Sequence, residues 1–186
     1  MIAMLVLLAV IVVVGLWVMG LYNGLVGSRN EVKNSWSQID VQLKRRHDLI
    51  PNLVEAVKGY MGHERGTLEA VTKARQQAVD LSSASAEDRA KVENALSQTL
   101  RSLFAVAEAY PDLKANQNFL ALQEELTATE NKISFARQYY NDAVLRLNNR
   151  IQMFPSSIIA GAFNFQMEQF FQVDAPEDRQ VPQVKF

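Results

Sequence analysis

The chain has 186 residues, of which 48% are hydrophobic and 21% charged, and its formal net charge is −1. Those averages are typical of a soluble domain, but all 19 basic and 20 acidic side chains lie in residues 29–186. Cysteine is absent, which excludes disulfides, thiolate metal sites and a cysteine nucleophile. The near-zero charge and the single basic cluster, Lys44-Arg45-Arg46, argue against nucleic-acid binding.

The chain begins with an apolar run, residues 2–22, that has no charged or strongly polar side chain. As a helix this run spans roughly 30 Å, the thickness of a bilayer core. It predicts a transmembrane helix at residues 1–22 and a juxtamembrane hinge at residues 23–28. A cleaved signal peptide is the alternative, but the run is too long and lacks both a basic start and a small-residue cleavage site.

The charges on either side of this run predict the orientation of the chain in the membrane. Only the α-amino group precedes the run, whereas Arg29 and Lys33 follow it. The positive-inside rule therefore places the rest of the chain in the cytoplasm, with an extracytoplasmic location as the alternative.

Four helices are predicted beyond the apolar run, because apolar residues recur at steps of three and four and glycine and proline are few. The predicted bounds are about 28–59 with a kink near Pro51, 63–81, 86–110 with Ser85 as its N-cap, and 112 or 116 to 153. The first and fourth helices are long enough to pack antiparallel, and the second and third cover the remaining faces. The predicted fold is therefore all-α: a transmembrane helix continuing into an elongated antiparallel bundle of three to four long helices over residues 29–154. A free coiled coil is the competing interpretation.

The last part of the chain has a different composition. Residues 155–172 are rich in phenylalanine and predict a loop followed by a short helix that caps the bundle. Alternatively, the segment contacts a partner or the membrane surface, and the candidate contact residues are then Phe163, Phe165, Phe170 and Phe171. Residues 173–186 contain two prolines and mixed charges, which predicts a disordered tail.

The motifs that carry chemistry are missing or incomplete. His63-Glu64 begins a zinc motif, but Thr67 occupies the position of the second histidine. No glycine-rich phosphate loop and no serine-nucleophile context occur. We therefore expect no enzyme activity, no cofactor, no metal and no small-molecule substrate. His47 is interpreted as a core histidine, and Lys44-Arg45-Arg46 as a solvated face.

Polar residues beside the apolar seams of the two long helices are the remaining candidates. Each is expected either at the surface or in interhelical hydrogen bonds that fix the register of the bundle. The candidates for such a network are Asp48, Asn52, Glu130, Asn131, Arg137 and Asn141, and Asp40, Arg46 and Asn148 lie on the same two helices.

Three long stretches, Ser35–Glu64, Tyr110–Asn141 and Phe154–Phe171, resemble the LemA family and occur in the family's order. The resemblance implies a single-pass protein of the bacterial inner membrane, with a short N-terminus outside and a helical bundle in the cytoplasm. It implies no enzyme and no settled functional site. It favours a scaffold that binds copies of itself or other membrane proteins. Two alternatives stay open: a ligand-, ion- or lipid-binding bundle, and an accessory subunit of a membrane protease or secretion system.

Overall fold

The computed structural model describes residues 1–62 and 64–171, and all regular secondary structure in those residues is helical. The helices are α1 (Ile2–Lys58), α2 (Arg65–Asp80), α3 (Ala86–Ala107), α4 (Pro111–Lys114), α5 (Gln117–Gln152) and α6 (Ser156–Ala162). The all-α prediction is confirmed. The predicted tail at residues 173–186 and His63 of the incomplete zinc motif lie outside the described residues.

The apolar run and the first bundle helix form one element, because α1 continues without interruption from Ile2 to Lys58, and residues 23–28, predicted as a hinge, are helical. Residues 2–17 of this helix are exposed, and its first buried residue is Leu25. Buried positions then recur every seven residues. These positions are Leu25, Val32, Ile39, Arg46 and Leu53. One side of the helix is therefore buried continuously from residue 25 onward.

Polar caps set the starts of the later helices. The Ser85 hydroxyl accepts a hydrogen bond from the Asp88 backbone N–H (3.2 Å), which confirms the predicted N-cap of α3. Asn116 caps α5 by accepting from the backbone N–H groups of Asn118 (2.9 Å) and Phe119 (3.1 Å). The predicted fourth helix is consequently divided into the single turn α4 and the long α5.

The described residues form two compact units. Unit 1 contains Met1–Asp40 and Phe135–Phe170; unit 2 contains Val41–Ser134 and the segment that starts at Phe171. Both α1 and α5 contribute residues to each unit.

In unit 2, parts of α1 and α5 pack antiparallel and α2 and α3 complete a helical bundle. Arg45 contacts Glu125, while Asn52, seven residues later in α1, lies beside Asn118, seven residues earlier in α5. Full burial of each large apolar side chain stabilises the fold by roughly 1.5–3 kcal/mol. The core includes Leu53, Val57, Val71, Leu96, Leu103 and Phe119. This packing holds α3 against α1.

In unit 1, α1 and α5 are again antiparallel. The Trp36 and Tyr140 rings lie 5.1 Å apart, and farther toward the start of α1 the Arg150 guanidinium donates to the Gly24 carbonyl (2.6 Å). A Cβ at residue 24 would lie 3.3 Å from that guanidinium, so glycine suits the close approach. The C-terminal end of α5 therefore lies toward the apolar end of α1.

The phenylalanine-rich segment has the opposite order from the prediction, because the short helix α6 comes first and the non-helical stretch follows. Pro155 occupies the N-cap of α6, after a cis Phe154–Pro155 peptide bond. The helix ends in a Schellman motif: Phe165 N–H donates to Ala160 (2.9 Å) and Asn164 N–H to Gly161 (3.3 Å). Asn164 adopts φ 54°, a left-handed conformation that asparagine tolerates. Gly161 lies within the helix.

Candidate functional sites

A cluster of buried charged side chains lies in unit 2 and is centred on Arg46, whose side chain has no exposed surface. Its Nη1 donates to Ser97 Oγ (2.7 Å) and to Glu130 Oε2 (2.6 Å). Its Nη2 forms an ion pair with the carboxylate of Glu93, which is also buried. The Ser97 hydroxyl in turn lies 2.7 Å from Glu130 Oε1. One arginine thus joins α1, α3 and α5.

The ionisation of Glu93 follows from its neighbours. Burial alone raises the pKa of this carboxyl, but the hydrogen bond from His47 and the charge of Arg46 outweigh it, so the pKa is lowered from 4.5. The His47 Nε2 atom lies 3.1 Å from Glu93 Oε1. Glu93 is therefore a carboxylate at neutral pH, and its charge is balanced by Arg46.

The cluster extends to α2 through a backbone carbonyl. Pro51 lies inside α1 and has no N–H, so the carbonyl of His47 loses its normal helical donor. Arg75 of α2 replaces this donor: its Nε donates to the His47 carbonyl at 2.7 Å. The proline that interrupts the hydrogen bonding of α1 therefore provides the attachment point for α2.

The prediction that Arg46 belongs to a solvated basic face is wrong. Arg46 lies seven residues from both Ile39 and Leu53, and so falls in the buried heptad series of α1. Its neighbours in the basic cluster, Lys44 and Arg45, are exposed. His47 is buried and bonded to Glu93, in agreement with its interpretation as a core histidine.

Sequence reasoning missed Glu93, although a signal for it was present. Buried positions in α3 alternate steps of four and three residues, and Glu93 fits that series. The series is Arg89, Glu93, Leu96, Leu100, Leu103 and Ala107. The position of Glu93 in the register predicts burial, whereas its charge alone suggests exposure.

Of the predicted polar network, the structure brings one member into this cluster. Glu130 bonds Arg46, whereas Asp48, Asn52 and Asn131 are exposed on their helices. The other two candidates belong to unit 1, where Arg137 is buried and Asn141 is half-buried.

A small cavity of about 170 Å³ adjoins the cluster, between α3 and α5. Ser97 and Glu130 contribute its polar lining, and Leu100, Phe104 and Leu126 its apolar lining. It is smaller than the roughly 300–1,000 Å³ of most small-molecule pockets. Within residues 1–62 and 64–171, no group of three or more His, Asp or Glu side chains is arranged to hold a metal ion.

A second candidate site, in unit 1, groups aromatic and basic side chains near the end of the apolar run. The ring centres of Phe163 and Tyr22 lie 4.7 Å apart, and the ring centres of Phe165 and Tyr22 lie 6.0 Å apart. The Arg29 guanidinium lies over the Phe165 ring, 5.2 Å from its centre. Cation–π contact of this kind contributes about 0.5–1 kcal/mol at exposed sites. Segment 163–165 therefore lies against α1 at residues 22–29.

Two side chains of α5 hold the stretch that follows. Asn148 is buried and makes two hydrogen bonds to the backbone of Glu168, one donated and one accepted, both of 2.9 Å. The Tyr140 hydroxyl donates to the Gln169 carbonyl (2.9 Å). Burial raises the pKa of Tyr140 to about 12, with a further contribution from the Glu168 carboxylate.

The four phenylalanines proposed as partner contacts differ in exposure. Phe163 is 57% exposed and Phe170 is 38% exposed, whereas Phe165 is half-buried against Tyr22 and Phe171 is fully buried. The surface that these residues offer to a partner therefore comes mainly from Phe163 and Phe170, and their contact role stays a prediction.

These features define an all-α protein with one helix long and apolar enough to cross a membrane among the residues described. The family model of the LemA family matches residues 35–186. A curated relative named Protein LemA, from Metamycoplasma hominis, is 26% identical over 160 residues, which cover 85% of this chain and 72% of that protein. The chain belongs to the LemA family.

Proposed function

We propose that the protein is a single-pass protein of the bacterial inner membrane and a non-enzymatic scaffold, whose helical region organises copies of itself or other membrane proteins. One observation carries the proposal. Residues 2–17 of α1 are exposed, and the same helix continues into packed segments from Leu25. An exposed apolar helix of about 20 residues is stable in a bilayer and costly in water.

The helical region is assigned to the cytoplasm, because Arg29 and Lys33 follow the apolar run. The test is a pair of reporters fused after Phe186, one active only in the cytoplasm and one only outside it. We expect activity from the cytoplasmic reporter alone, with the protein retained in membranes after alkaline extraction. Activity from the external reporter alone contradicts the orientation, and release by alkali contradicts the anchor.

A scaffold role is supported by how the polar groups of unit 2 are used. Arg46, Glu93 and Ser97 bond to one another, so these polar side chains join the helices of the unit. Unit 1, in turn, exposes Phe135 by 72% and its helical neighbour Tyr139 by 43%. These two side chains share one face of α5 and suit contact with a second copy.

The oligomeric state of the full-length protein in mild detergent tests this role. We expect an oligomer, and a shift toward monomer in Phe135→Gln. The matched control is Leu145→Gln, which changes an exposed apolar residue (49%) on another face of the same helix and should leave the mass unchanged. A strictly monomeric wild-type protein that retains no other membrane protein contradicts the scaffold proposal.

A second candidate function is the binding of a small ligand in the cavity of about 170 Å³ beside Ser97 and Glu130. The observation that favours it is the meeting of polar and apolar lining in one concave site. Native mass spectrometry of the purified protein tests it directly. A bound species that is lost in Leu100→Trp, which fills the cavity, supports this function, and the absence of any bound species removes it.

A further inference from the structure

We propose that the end of α5 and the segment through Met167 form a second membrane contact, which rests in the interface of the bilayer beside the emerging α1. The contact surface is named the apolar collar and consists of Met153, Phe154, Ile158, Phe163 and Met167. The proposal rests on the membrane anchor proposed above and adds to it a surface-lying element and its occupant, the lipid headgroup boundary.

The depth of the collar follows from the antiparallel packing of unit 1. Trp36 contacts Tyr140, and Gly24 contacts Arg150. Ten residues toward the C-terminal end of α5 therefore correspond to twelve residues toward the N-terminal, apolar end of α1. Met153 and Phe154 come immediately after that last contact. They therefore lie near the level at which the apolar run of α1 ends.

The contact of the segment after α6 with α1 gives the same depth for the collar independently. After α6, the Phe163 ring packs on the ring of Tyr22, the last residue of the apolar run. A run of residues 2–22 spans roughly 30 Å, which matches the hydrocarbon core and puts Tyr22 at its boundary. Met153, Phe154 and Phe163 are thus placed at the interface, where aromatic residues are enriched.

The collar side chains are exposed to a degree that is unusual for large apolar groups so close together. Phe154 is 80% exposed, Met153 63%, Ile158 62%, Met167 59% and Phe163 57%. Residues 151–167 contain no charged side chain, the longest such stretch after residue 28. A cluster of this kind marks a contact surface, and its position beside the apolar run points to lipid as the occupant.

Basic groups border the collar on the side away from the hydrocarbon. Arg29 lies over the Phe165 ring, and Arg150 donates to the Gly24 carbonyl. Both guanidinium groups therefore sit at the level of lipid phosphates, with the apolar collar beneath them. Apolar side chains at the acyl boundary and arginines at the headgroups form the pattern of an interfacial membrane contact.

The chain lacks cysteine, so a single introduced cysteine can carry an environment-sensitive fluorophore. The test uses Phe154→Cys and Ile158→Cys in the full-length protein, reconstituted in phosphatidylcholine–phosphatidylglycerol vesicles at high lipid-to-protein ratio. Quenchers attached to lipid acyl chains, either near the headgroup or deep in the bilayer, report depth. Aqueous iodide reports exposure to water.

Two labelled controls separate the outcomes. Val13→Cys lies within the apolar run, and Val41→Cys lies on α1 beyond that run, where the side chain is 63% exposed. We expect the Val13 label to be quenched by the deep quencher, the collar labels by the shallow one, and the Val41 label by iodide alone.

The other possible quenching results each contradict one part of the proposal. If the Val13 label is quenched by lipid but the collar labels respond only to iodide, the collar proposal is wrong and the anchor stands. If the collar labels are shielded from iodide but not quenched by lipid, a protein covers the collar and the lipid assignment is wrong. If the Val13 label itself is quenched by iodide, the proposed membrane anchor fails.

Discussion

Units 1 and 2 depart from the usual distribution of polarity in opposite ways. Unit 2 buries charges: Arg46 and Glu93 are almost fully removed from solvent. Unit 1 exposes apolar groups: Phe154 and Ile158 are 80% and 62% exposed. The buried charges find their partners within the chain, so they are explained by the fold alone. The exposed apolar groups leave most of their surface uncovered, so they point to a phase outside the protein.

The buried charges of unit 2 and the exposed apolar groups of unit 1 also differ in what they contribute to the stability of the fold. A buried ion pair gains little net stability, because desolvation offsets much of the attraction, but removing one partner leaves an uncompensated charge. Unit 2 therefore depends on Arg46 and Glu93 being present together. The exposed apolar side chains of unit 1 contribute little to folding in water and gain free energy only in contact with lipid or another protein.

The largest effect is expected from Arg46→Ala, which leaves the Glu93 carboxylate buried without its cation. We expect a loss of about 3–5 kcal/mol in the free energy of unfolding. The matched control is Arg45→Ala, which removes an exposed pair with Glu125 (2.7 Å) and should cost about 1 kcal/mol or less. Chemical denaturation of the full-length protein in detergent, followed by helical circular dichroism, measures both. Equal losses in the two variants contradict the distinction.

Acid should weaken unit 2 through Glu93. Because the folded-state pKa of this carboxyl is lowered from 4.5, its contribution to stability is fully present above about pH 4.5 and is lost as the pH falls through the folded-state value. We expect stability to fall below pH 4.5 and to fall less steeply in Glu93→Gln. Glu87→Gln, which alters an exposed pair with Lys91, should keep the wild-type slope. An unchanged slope in Glu93→Gln removes this residue as the cause.

A smaller effect is expected where α2 attaches to α1. Arg75→Ala leaves the His47 carbonyl without a donor and should cost about 1.5–3 kcal/mol, as for a hydrogen bond to a charged group. In a Pro51→Ala background the backbone N–H of residue 51 restores the helical donor, so the same Arg75→Ala change should cost clearly less. A double-mutant cycle by denaturation measures this coupling. Additive costs mean that Pro51 and Arg75 act independently.

The smallest effect concerns the stretch that follows α6. Asn148→Ala removes two hydrogen bonds to the Glu168 backbone and should cost about 1–3 kcal/mol in a buried setting. Amide hydrogen exchange at residue 168 should quicken, because its N–H loses its acceptor. Asn149→Ala, at an exposed neighbouring position, is the control. Unchanged exchange at residue 168 in Asn148→Ala shows that the stretch is held by other contacts.

Much of the fold can be predicted from the sequence, because helical periodicity and caps are local signals. The seam of α1, the Ser85 cap and the boundary near Asn116 follow from residues within a few positions of each other. The order within the phenylalanine-rich segment was wrong, since the end of α6 depends on Asn164 in a left-handed conformation and not on Gly161. That choice depends on backbone geometry which composition does not encode.

The candidate site in unit 2 was less predictable. The sequence predicts Glu130 as a network residue, but its partner Arg46 is 84 positions away and is predicted both on a solvated basic face and among the polar residues beside the seam of α1. The heptad registers of α1 and α3 contain the information that residues 46 and 93 are buried. They do not contain the information that these two residues face one another, because that depends on how far α3 is shifted along α1.

The continuity of α1 from the apolar run into the packed segments sets the depth of every other residue in unit 1. Amide hydrogen exchange of the full-length protein in lipid nanodiscs, followed along α1, tests it most directly. We expect unbroken slow exchange from the apolar run through Leu25 and beyond, with no fast segment at residues 23–28. Fast exchange confined to residues 23–28 would contradict it, because those residues would then form a hinge between two separate helices.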